Sequence, residues 1–300
     1  MPTDPQVTIG LPVRNGVPDL RVALDSLLSQ TYENFVLVIS DNDSTDDTGD
    51  VCREYAERDP RVRYIRQKDN LGNPGNFHFT LQQAQTPYFM WAAHDDIWSP
   101  TFIERTIAQL EANPGAVCSC PQISLETYDG EVVLSNGTYA ITGDMLTRLK
   151  RYFYAPGEVS RYYGLYRTEV LQKSYPRDVM VFGFDWVIAA LTLIYGEHLE
   201  VNEALLYRKG QAPGHYFRTL LRFENDFLDR IIPFRRFTLK LREKLPPEAW
   251  RACRWYILRL NIVQILSLAK YKLPFLGPIV KAISNTERAV MKRPPALKTT

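Results

Sequence analysis

The chain has 300 residues, of which 45% are hydrophobic and 23% are charged, with a formal net charge of +2. This composition is typical of a globular protein with a sizeable core, and it excludes a disordered or fibrous chain. No basic and then apolar stretch opens the sequence, and the most apolar segment, residues 179–195, is shorter than a bilayer span and contains Asp185. We therefore expect a cytoplasmic protein without a transmembrane helix.

The four cysteines are Cys52, Cys118, Cys120 and Cys253, and no two of them have C-x-x-C spacing. Cys118 and Cys120 alternate within an apolar run, as two residues on one face of a strand do. In a chain without a secretion signal, this pattern predicts reduced thiols in the core rather than disulfides or a zinc site.

The charge is distributed unevenly along the chain. Residues 216–300 contain 18 basic and 6 acidic residues, whereas residues 1–215 contain 18 basic and 28 acidic residues. This asymmetry predicts a boundary near residues 211–214. We expect an acidic domain over residues 1–215. A basic, amphipathic helical tail would follow over residues 216–300.

The first half of the chain alternates short β-rich runs with segments of helical periodicity. This alternation predicts a mostly parallel sheet that helices cover on both faces. The predicted strands span residues 7–13, 35–40, 62–66 and 88–93. The predicted helices span residues 19–29 and 47–58, a segment after the loop 70–76 to about 85, and a segment that Ser99 opens as N-cap with Pro100 at the first helical position.

Beyond residue 116 the alternation becomes less regular. Residues 117–124, 131–134, 161–167 and 199–208 are predicted strands, and residues 184–195 are a predicted helix. The last 85 residues contain apolar periodicity for two or three helices, within residues 220–241 and 247–272.

Polar clusters follow three of the predicted strands. They are Pro12 to Asn15, Asp41 to Asp43, and His94 to Asp96. In a doubly wound sheet, ligands bind beyond the carboxyl ends of the strands. No glycine-rich dinucleotide or P-loop motif is present, so carboxylates dominate this edge. Carboxylates that face a diphosphate require a bridging divalent cation, and Mg²⁺ or Mn²⁺ prefers such oxygen ligands.

Several segments, in this order, resemble the family-2 glycosyltransferases of the GT-A fold, and the resemblance covers roughly residues 7–208. Each segment alone is weak, whereas their order and spacing together are specific. The segments are residues 7–15 (VTIGLPVRN), 24–32 (LDSLLSQTY), 38–46 (VISDNDSTD), 70–72 (NLG), Asn76, 91–98 (WAAHDDIW), 164–167 (GLYR), 183–186 (GFDW) and 207–208 (YR).

The resemblance implies a fold and an activity. The fold would be GT-A, an α/β fold with a Rossmann-like, mostly parallel sheet between helices, followed by a C-terminal helical region. Within residues 1–215, the nucleotide-binding half would extend to about residue 115 and the acceptor-binding half would span about residues 116–215. The activity would be inverting transfer of a sugar from a nucleotide-diphosphate-sugar to a hydroxyl of a glycan or lipid-linked acceptor, in cell-surface polysaccharide or glycolipid synthesis. We expect a UDP-sugar as the donor, with GDP- and dTDP-sugars as alternatives, and Mn²⁺ or Mg²⁺ as the cofactor.

The resemblance also implies roles for individual residues. Asp41 would bind the nucleotide base, with Pro12 and Arg14 as walls of its pocket. Asp95 would ligate the metal, and Asp185 would be the general base that deprotonates the acceptor hydroxyl. The remaining expected donor contacts are Asn15, Asn42, Gly72, Asn76, His94 and Asp96. The expected acceptor-side residues are Trp186, Arg208 and His215.

The sequence departs from the family pattern at three positions. Ala93 stands where the first aspartate of the D-x-D-D motif is expected, so the contact which that aspartate makes with the sugar or ribose is in doubt. Arg14 replaces a common tyrosine, and Gly210 stands where a histidine often follows the Tyr-Arg pair.

Structural interpretations remain open for the same residues. The aspartates of residues 41–47, 95–96 and 185 are also typical helix or turn caps, and His94 and His215 are also typical structural histidines. Two other functions remain open. A nucleotidyltransferase would use a similar metal and carboxylates, and an inactive sugar-nucleotide-binding scaffold would be compatible with Ala93.

The basic tail has two open interpretations. It is either a solvated helical face or a surface that holds the protein on anionic lipid at the inner face of the plasma membrane. Nucleic acid is not expected, because no recognition motif accompanies the charge. The lipid hypothesis is based on a mixture of basic and apolar residues, namely Arg251, Arg254 and Arg259 around Trp250, Trp255, Tyr256 and Ile257.

Overall fold

A computed structural model describes residues 5–127, 129–176, 178, 181–210, 219–220, 223 and 226–273. Within these residues a single mixed sheet forms the centre of the fold, in the order β3-β2-β1-β4-β8-β6-β9-β5, with β7 paired to β6. The strands are β1 (Val7–Val13), β2 (Phe35–Asp41), β3 (Val62–Arg66), β4 (Tyr88–Trp91), β5 (Asp96–Trp98), β6 (Ala116–Glu126), β7 (Val132–Leu134), β8 (Leu165–Arg167) and β9 (Glu197–Arg208).

Helices connect and cover these strands. A 3-10 helix spans Val159–Tyr163 and precedes β8. The α-helices are α1 (Leu20–Leu28), α2 (Thr48–Arg58), α3 (Gly72–Gln82), α4 (Phe102–Ala112), α5 (Met145–Tyr154), α6 (Thr168–Ser174), α7 (Phe184–Thr192), α8 (Phe227–Ile231), α9 (Arg235–Lys244) and α10 (Pro247–Lys272).

The first four strands form the parallel half of the sheet. β1 lies between β2 and β4, with Val7 opposite both Phe35 and Tyr88. β1 and nearly all of β2 are buried, because their apolar side chains point into the layers on both faces. Helices α1 and α2 contact each other, and α3 packs against β1 and β2. The right-handed crossovers that parallel strands require put α1 and α2 on one face of the sheet and α3 on the other. The strand order reverses between β1 and β4, which makes the carboxyl ends of these strands the expected binding edge.

The second half of the sheet adds antiparallel pairs. β8 joins β4 to β6, and β6 runs parallel to β9. β5 pairs antiparallel with β9, so that Asp96 lies opposite Arg208. The segment that follows β4 is thereby held beside the end of β9.

The C-terminal helices extend the same core. Phe234, Phe237, Cys253 and Ile257 are buried in the cluster that also contains the sheet residues. The Arg259 guanidinium donates to the carbonyls of Phe153 and Tyr154. The predicted boundary at residues 211–214 lies outside the described residues, and the division into domains stays a prediction. No helix in the described part of the chain is long and apolar enough to cross a membrane.

The cysteine prediction is confirmed. Cys52, Cys118, Cys120 and Cys253 are buried and unbridged. Burial raises the pKa of Cys52 to about 12, because a thiolate in apolar surroundings loses its hydration.

Two predicted helix starts were wrong. Helix α3 begins at Gly72 rather than after residue 76, because Gly72 adopts a positive φ of 71° that turns the chain into the helix. Helix α4 begins at Phe102 with Thr101 as cap. The Ser99 N–H instead donates to the Leu205 carbonyl at 2.8 Å, which ties Ser99 to β9.

The predicted strand 161–167 is a 3-10 helix followed by the short strand β8. Both Arg161 and Tyr162 are buried, which a half-buried strand with alternating faces does not allow. A side chain at Gly164 would approach Cys118 Sγ and the Ser119 carbonyl to 2.9 Å, so the turn between helix and strand depends on glycine. Helices α5 and α6 were not predicted.

Substitution Gly10→Ala tests the close approach of α3 and β4 to β1. A methyl group at Gly10 would lie 2.6 Å from the Phe89 ring and 2.7 Å from Thr80 Oγ1, and both neighbours are fully buried. We expect a loss of about 1–3 kcal/mol in the free energy of unfolding, measured by urea denaturation. Gly115→Ala is the matched control, because nothing lies within 4 Å of its added methyl group. Equal stability of the two variants would contradict this packing.

Candidate active site

The loop after β1 forms one wall of the binding edge. Pro12 is buried, whereas the Arg14 side chain is exposed and forms no ion pair within the described residues. Asn15 adopts a left-handed backbone with φ of 53°. Its N–H donates to Ser44 Oγ at 3.0 Å, and its side-chain oxygen accepts from the Thr45 N–H at 2.9 Å. These bonds fix the loop after β1 to the loop after β2.

Asp41 lies at the end of β2 and its side chain is fully buried. Oδ1 accepts from the Ser44 N–H at 2.9 Å, and Oδ2 accepts from the Tyr64 hydroxyl at 2.8 Å and from Arg66 Nη1 at 3.1 Å. The neighbouring Asp43 has a positive φ of 61°. The Asp41 carboxylate therefore organises the loop through three hydrogen bonds. The burial of Tyr64 and its hydrogen bond to Asp41 raise the pKa of Tyr64 to about 12.

Asn42 joins the β2 loop to the start of α3. Its side-chain oxygen accepts from the Leu71 N–H at 2.7 Å, and its amide nitrogen donates to Asn70 Oδ1 at 2.9 Å and to the Gly72 carbonyl at 3.3 Å. Asn42 and Gly72 are therefore adjacent, and their polar atoms hold the loop in place. Their predicted contacts with the donor stay predictions.

Asn76 lies beneath this loop, with 2% of its surface exposed. Its Oδ1 accepts from the Ser40 hydroxyl at 2.6 Å, and its Nδ2 donates to the Ser40 carbonyl at 2.9 Å. Because the oxygen and the nitrogen of its amide both form hydrogen bonds with Ser40, Asn76 holds α3 against β2. Its predicted contact with the nucleotide stays a prediction.

Asp96 and Arg208 form a buried ion pair. Arg208 Nε donates to Asp96 Oδ2 at 3.1 Å, and the Asp96 side chain is 3% exposed. Burial raises the pKa of Asp96 to about 6, although the charge of Arg208 opposes the rise. The guanidinium also lies over the Tyr163 ring, 4.4 Å from its centre. Arg208 therefore connects Asp96 to the 3-10 helix.

His94 and Asp95 precede this ion pair and are half-buried. The His94 ring lies against Gly16, where an added methyl group would be 3.1 Å from it. Asp95 acts electrostatically on Asp96, Tyr163 and Arg208, which places its carboxylate in the same corner.

The donor set of this corner fits a divalent cation shared with a ligand. No group of three or more metal-binding side chains occurs among the described residues. Mg²⁺ and Mn²⁺ bind through one or two carboxylates together with substrate phosphates, and do not require a cage of protein ligands. Asp95 would supply such a carboxylate, and the neighbouring Asp96 pairs with Arg208.

Asp185 lies in the first turn of α7, after Gly183, whose positive φ of 78° begins the helix. Its Oδ1 accepts from the Trp186 N–H at 2.8 Å. The side chain keeps partial exposure, yet the surrounding protein raises the pKa of Asp185 to about 6, because desolvation disfavours the charged form. The Trp186 N–H and the charge of Arg208 oppose this rise.

Asp185 lines an open cavity of about 130 Å³. Its other walls are mainly aromatic, and they come from four separate segments of the chain. The lining residues are Asn73, Phe77, Tyr162, Tyr163, Phe182, Gly183, Phe184, Thr219 and Phe223. Tyr163 is the link between the two parts of the site, because it lies under Arg208 and is perturbed electrostatically by both Asp95 and Asp185.

Two of the predicted acceptor-side residues, Trp186 and His215, are not among the described residues that line the cavity. The Trp186 ring is turned toward the C-terminal helices, with ring centres 5.5 Å from Phe234 and 6.3 Å from Phe237. It does not belong to the cavity lining. His215 lies outside the described residues.

Sequence reasoning missed the aromatic walls and the partners of Asp41. The Tyr162-Tyr163 pair was hidden inside a predicted strand, although the following Gly164 marks a close approach to β6. Tyr64 and Arg66 alternate on β3 and were read only as strand residues. Their spacing of two, with both side chains on the face of β3 toward Asp41, is the signal that was available.

A family model matches the part of the chain that contains Asp41 and Asp95, and the match ends before Asp185 and Arg208. The sequence model of the family described as "Glycosyl transferase family 2" matches residues 8–174. The glycosyltransferase GlyA of Streptococcus pneumoniae is 34% identical over 104 residues, which cover 35% of this chain and 15% of that protein. An uncharacterized glycosyltransferase of Rickettsia felis is 36% identical over 103 residues, which cover 34% of this chain and 17% of that protein. The chain thus matches less than a fifth of the length of these two relatives.

Solved structures share the fold over nearly the whole chain. S. aureus TarS 1-349 in complex with UDP has a TM-score of 0.57 and 17% identity, and the match covers 95% of this chain and 88% of that chain. The mannosyltransferase PcManGT from Pyrobaculum calidifontis, in complex with GDP-Man and Mn²⁺, has a TM-score of 0.60 and 16% identity, with 96% and 80% covered. At these identities the likeness shows the fold alone.

Substitution Asp185→Asn tests the desolvation of this carboxyl group. The raised pKa means that the folded state holds the proton more tightly than the unfolded chain, so stability falls as pH rises from about 4 through about 6. The amide cannot ionise. We therefore expect the free energy of unfolding of the variant to exceed that of the parent by about 1–3 kcal/mol above pH ~7. Below pH ~4 the two free energies should be equal, and urea unfolding at both pH values measures the difference.

Asp178→Asn is the control of opposite sign. Lys240 donates a hydrogen bond to Asp178 and lowers the pKa of that carboxyl group. Loss of the Asp178 carboxylate should therefore decrease the free energy of unfolding at neutral pH. An Asp185→Asn variant with the same change in stability at both pH values would contradict the desolvated carboxylate.

Proposed function

The chain belongs to glycosyl transferase family 2 and has the GT-A fold, and from this premise we propose that it is an inverting, metal-assisted glycosyltransferase. It would move a sugar from a nucleotide-diphosphate-sugar to a hydroxyl of a glycan or lipid-linked acceptor. The observation that carries the proposal is the shared use of Tyr163. This ring borders the cavity of Asp185 and also lies under the Arg208 that pairs with Asp96.

The donor would lie along the ends of β1 and β2. Asp41 would bind the nucleotide base at the end of β2, where its carboxylate also accepts a hydrogen bond from the Ser44 N–H. Pro12 and Arg14 would flank the base, and the exposed, unpaired Arg14 guanidinium suits a phosphate or a base edge. Asn15, Asn42 and Gly72 would hold the loops that shape this pocket.

The diphosphate would lie at the His94 to Asp96 corner. Asp95 would hold a divalent cation together with the donor phosphates, and the cation would supply neutralisation of the charge that develops on the leaving diphosphate. Arg208 acts as a positioning residue, because its ion pair to Asp96 and its contact with Tyr163 fix the wall between this corner and the cavity.

The acceptor would occupy the aromatic cavity. Aromatic faces pack well against the apolar faces of sugar rings, and Tyr163 and Phe184 supply such faces beside Asp185. With a pKa of about 6, Asp185 is ionised at neutral pH and remains basic enough to accept the proton of the attacking hydroxyl. The hydroxyl oxygen would attack the anomeric carbon from the face opposite the leaving nucleotide, through an oxocarbenium-like transition state, and so invert its configuration.

The nucleotide is proposed by analogy with the two solved structures. TarS has been crystallised with UDP and with UDP-GlcNAc, and PcManGT with GDP-Man and Mn²⁺. We propose a UDP-sugar as the donor, with GDP- and dTDP-sugars next. Cell-surface polysaccharide or glycolipid synthesis is the setting that a glycan or lipid-linked acceptor suggests.

A thermal-shift panel of UDP-, GDP-, dTDP- and CMP-sugars, each with Mn²⁺ or with EDTA, tests donor and metal together. A ligand that binds only the folded state increases the free energy of unfolding by mass action, by about 2.7 kcal/mol at a hundredfold excess over Kd. This gain is measured as a rise in Tm. We expect a shift with one nucleotide class that disappears in EDTA and in Asp95→Ala. Asp129→Ala, an exposed aspartate in the turn before β7, is the matched control. No shift with any donor would contradict the proposal.

Asp185→Asn separates chemistry from binding. Loss of the general base should lower kcat by about 10²–10⁴-fold while the donor-induced thermal shift persists. In the parent, kcat/KM should rise with pH through about 6, where Asp185 ionises. Turnover is followed by release of nucleoside diphosphate, with Asp178→Asn as the control.

The product separates the remaining alternatives. Retained turnover in Asp185→Asn would place the base elsewhere. Release of pyrophosphate instead of nucleoside diphosphate would identify a nucleotidyltransferase, and donor binding without any product would favour a scaffold.

A further inference from the structure

The outward face of α10 carries an apolar stripe. Trp255 is 67% exposed, Leu258 46% and Ile262 48%, and their spacing of three and four residues places them on one side of the helix. The opposite side is buried through Cys253 and Ile257. Solvent exposure of a tryptophan and two aliphatic side chains in a row is unfavourable and indicates a surface that meets an apolar partner.

The structure corrects which tail residues form this surface. The mixture predicted from the sequence included Trp250, Tyr256, Ile257 and Arg259. Trp250 and Tyr256 are partly buried against the core, Ile257 is fully buried, and Arg259 is bound to carbonyls of the end of α5. Their helical phase turns them inward, which leaves the stripe of Trp255, Leu258 and Ile262 at the surface.

Positive charge surrounds the stripe. Residues 226–273 contain eleven basic and four acidic residues. Arg251 and Arg254 are exposed beside the stripe, and neither forms an ion pair within the residues that the structure describes. The Arg254 guanidinium lies 5.3 Å from the centre of the Trp255 ring. An arginine–tryptophan pair next to aliphatic side chains is typical of helices that lie in the headgroup region of a bilayer.

A second exposed apolar group lies near the cavity. On α8, Phe227 is 73% exposed, Leu228 49% and Ile231 47%. This helix follows Phe223, which lines the cavity of Asp185 and whose ring centre is 6.1 Å from that of Phe182, another wall residue. The C-terminal region therefore presents apolar side chains both on α10 and close to the cavity.

We propose that α10 is a docking surface for an anionic lipid bilayer, with Trp255, Leu258 and Ile262 inserted among the headgroups and Arg251 and Arg254 on lipid phosphates. This inference rests on the surface chemistry and is independent of the proposed function. A second copy of the chain would bring the same arginines face to face across a symmetric interface. Residues 274–300, with five basic residues and one acidic residue, offer no complementary charge either.

Cosedimentation of the full chain with phosphatidylglycerol or phosphatidylcholine vesicles, without donor or acceptor, tests the proposal. We expect binding to phosphatidylglycerol that weakens as salt rises, and little binding to phosphatidylcholine. The triple substitution W255S/L258S/I262S should lower the partition coefficient by at least about tenfold, because the apolar area that the membrane removes from water is lost. The double substitution R251Q/R254Q should lower it by about fivefold per arginine.

The matched control is V132S/V133S/L134S on β7. These side chains are 57%, 44% and 55% exposed, so the same number of exposed apolar residues is removed. Their neighbours Asp129 and Glu131 are acidic, and this variant should bind vesicles like the parent. Far-ultraviolet circular dichroism and Tm verify that all variants are folded.

Three outcomes would overturn the proposal. Equal binding of the stripe variant and the parent would place the lipid contact elsewhere. Absence of binding, with a parent dimer that dissociates in the stripe variant, would assign α10 to a second copy of the chain. A monomeric parent that does not bind vesicles would also reject the bilayer. None of these outcomes affects the donor thermal shift, which tests the proposed function separately.

Discussion

The buried ion pair between Asp96 and Arg208 is the contact on which the rest of the site depends. It joins the first residue of β5 to the last residue of β9, and the antiparallel register of these strands sets its geometry. The guanidinium then supports Tyr163 and acts electrostatically on Asp185. An unpaired buried charge costs several kcal/mol, so each partner keeps the other in place. The corner of His94 to Asp96 and the cavity of Asp185 are thereby joined through the Arg208 guanidinium.

Local patterns were sufficient to predict the parallel half of the sheet. The apolar run of β2 and the β-branched run of β1 are long enough to identify buried strands, and β3 was predicted with its observed bounds. The prediction of secondary structure failed where contacts between distant segments determine the backbone conformation. Gly72 begins α3 by a positive φ, and Arg161 and Tyr162 are both buried because partners from distant segments surround them. No local periodicity contains that information.

The same division applies to the site. The order of the motifs selects Asp41, Asp95 and Asp185 as candidate residues, because short segments around them follow the family pattern, and their roles stay predictions. Their surroundings were not predictable, since the partners of Asp41 lie on β3 and the walls of the cavity come from four segments. The C-terminal helix α10 shows most directly what the sequence alone does not predict. Composition indicated an aromatic and basic helix, but only the packing of α10 on α5 determined which aromatic residue faces solvent.

Two residues with left-handed backbone restrict which side chains the loops after β1 and β2 can carry. Asn15 and Asp43 have φ of 53° and 61°, where a β-branched side chain costs on the order of 1–3 kcal/mol and asparagine, aspartate and glycine are tolerated. Substitution at these two positions is therefore confined to a few residue types. Divergence of these loops has to proceed through neighbours with ordinary backbone conformation, among which the exposed Arg14 is the most accessible to change.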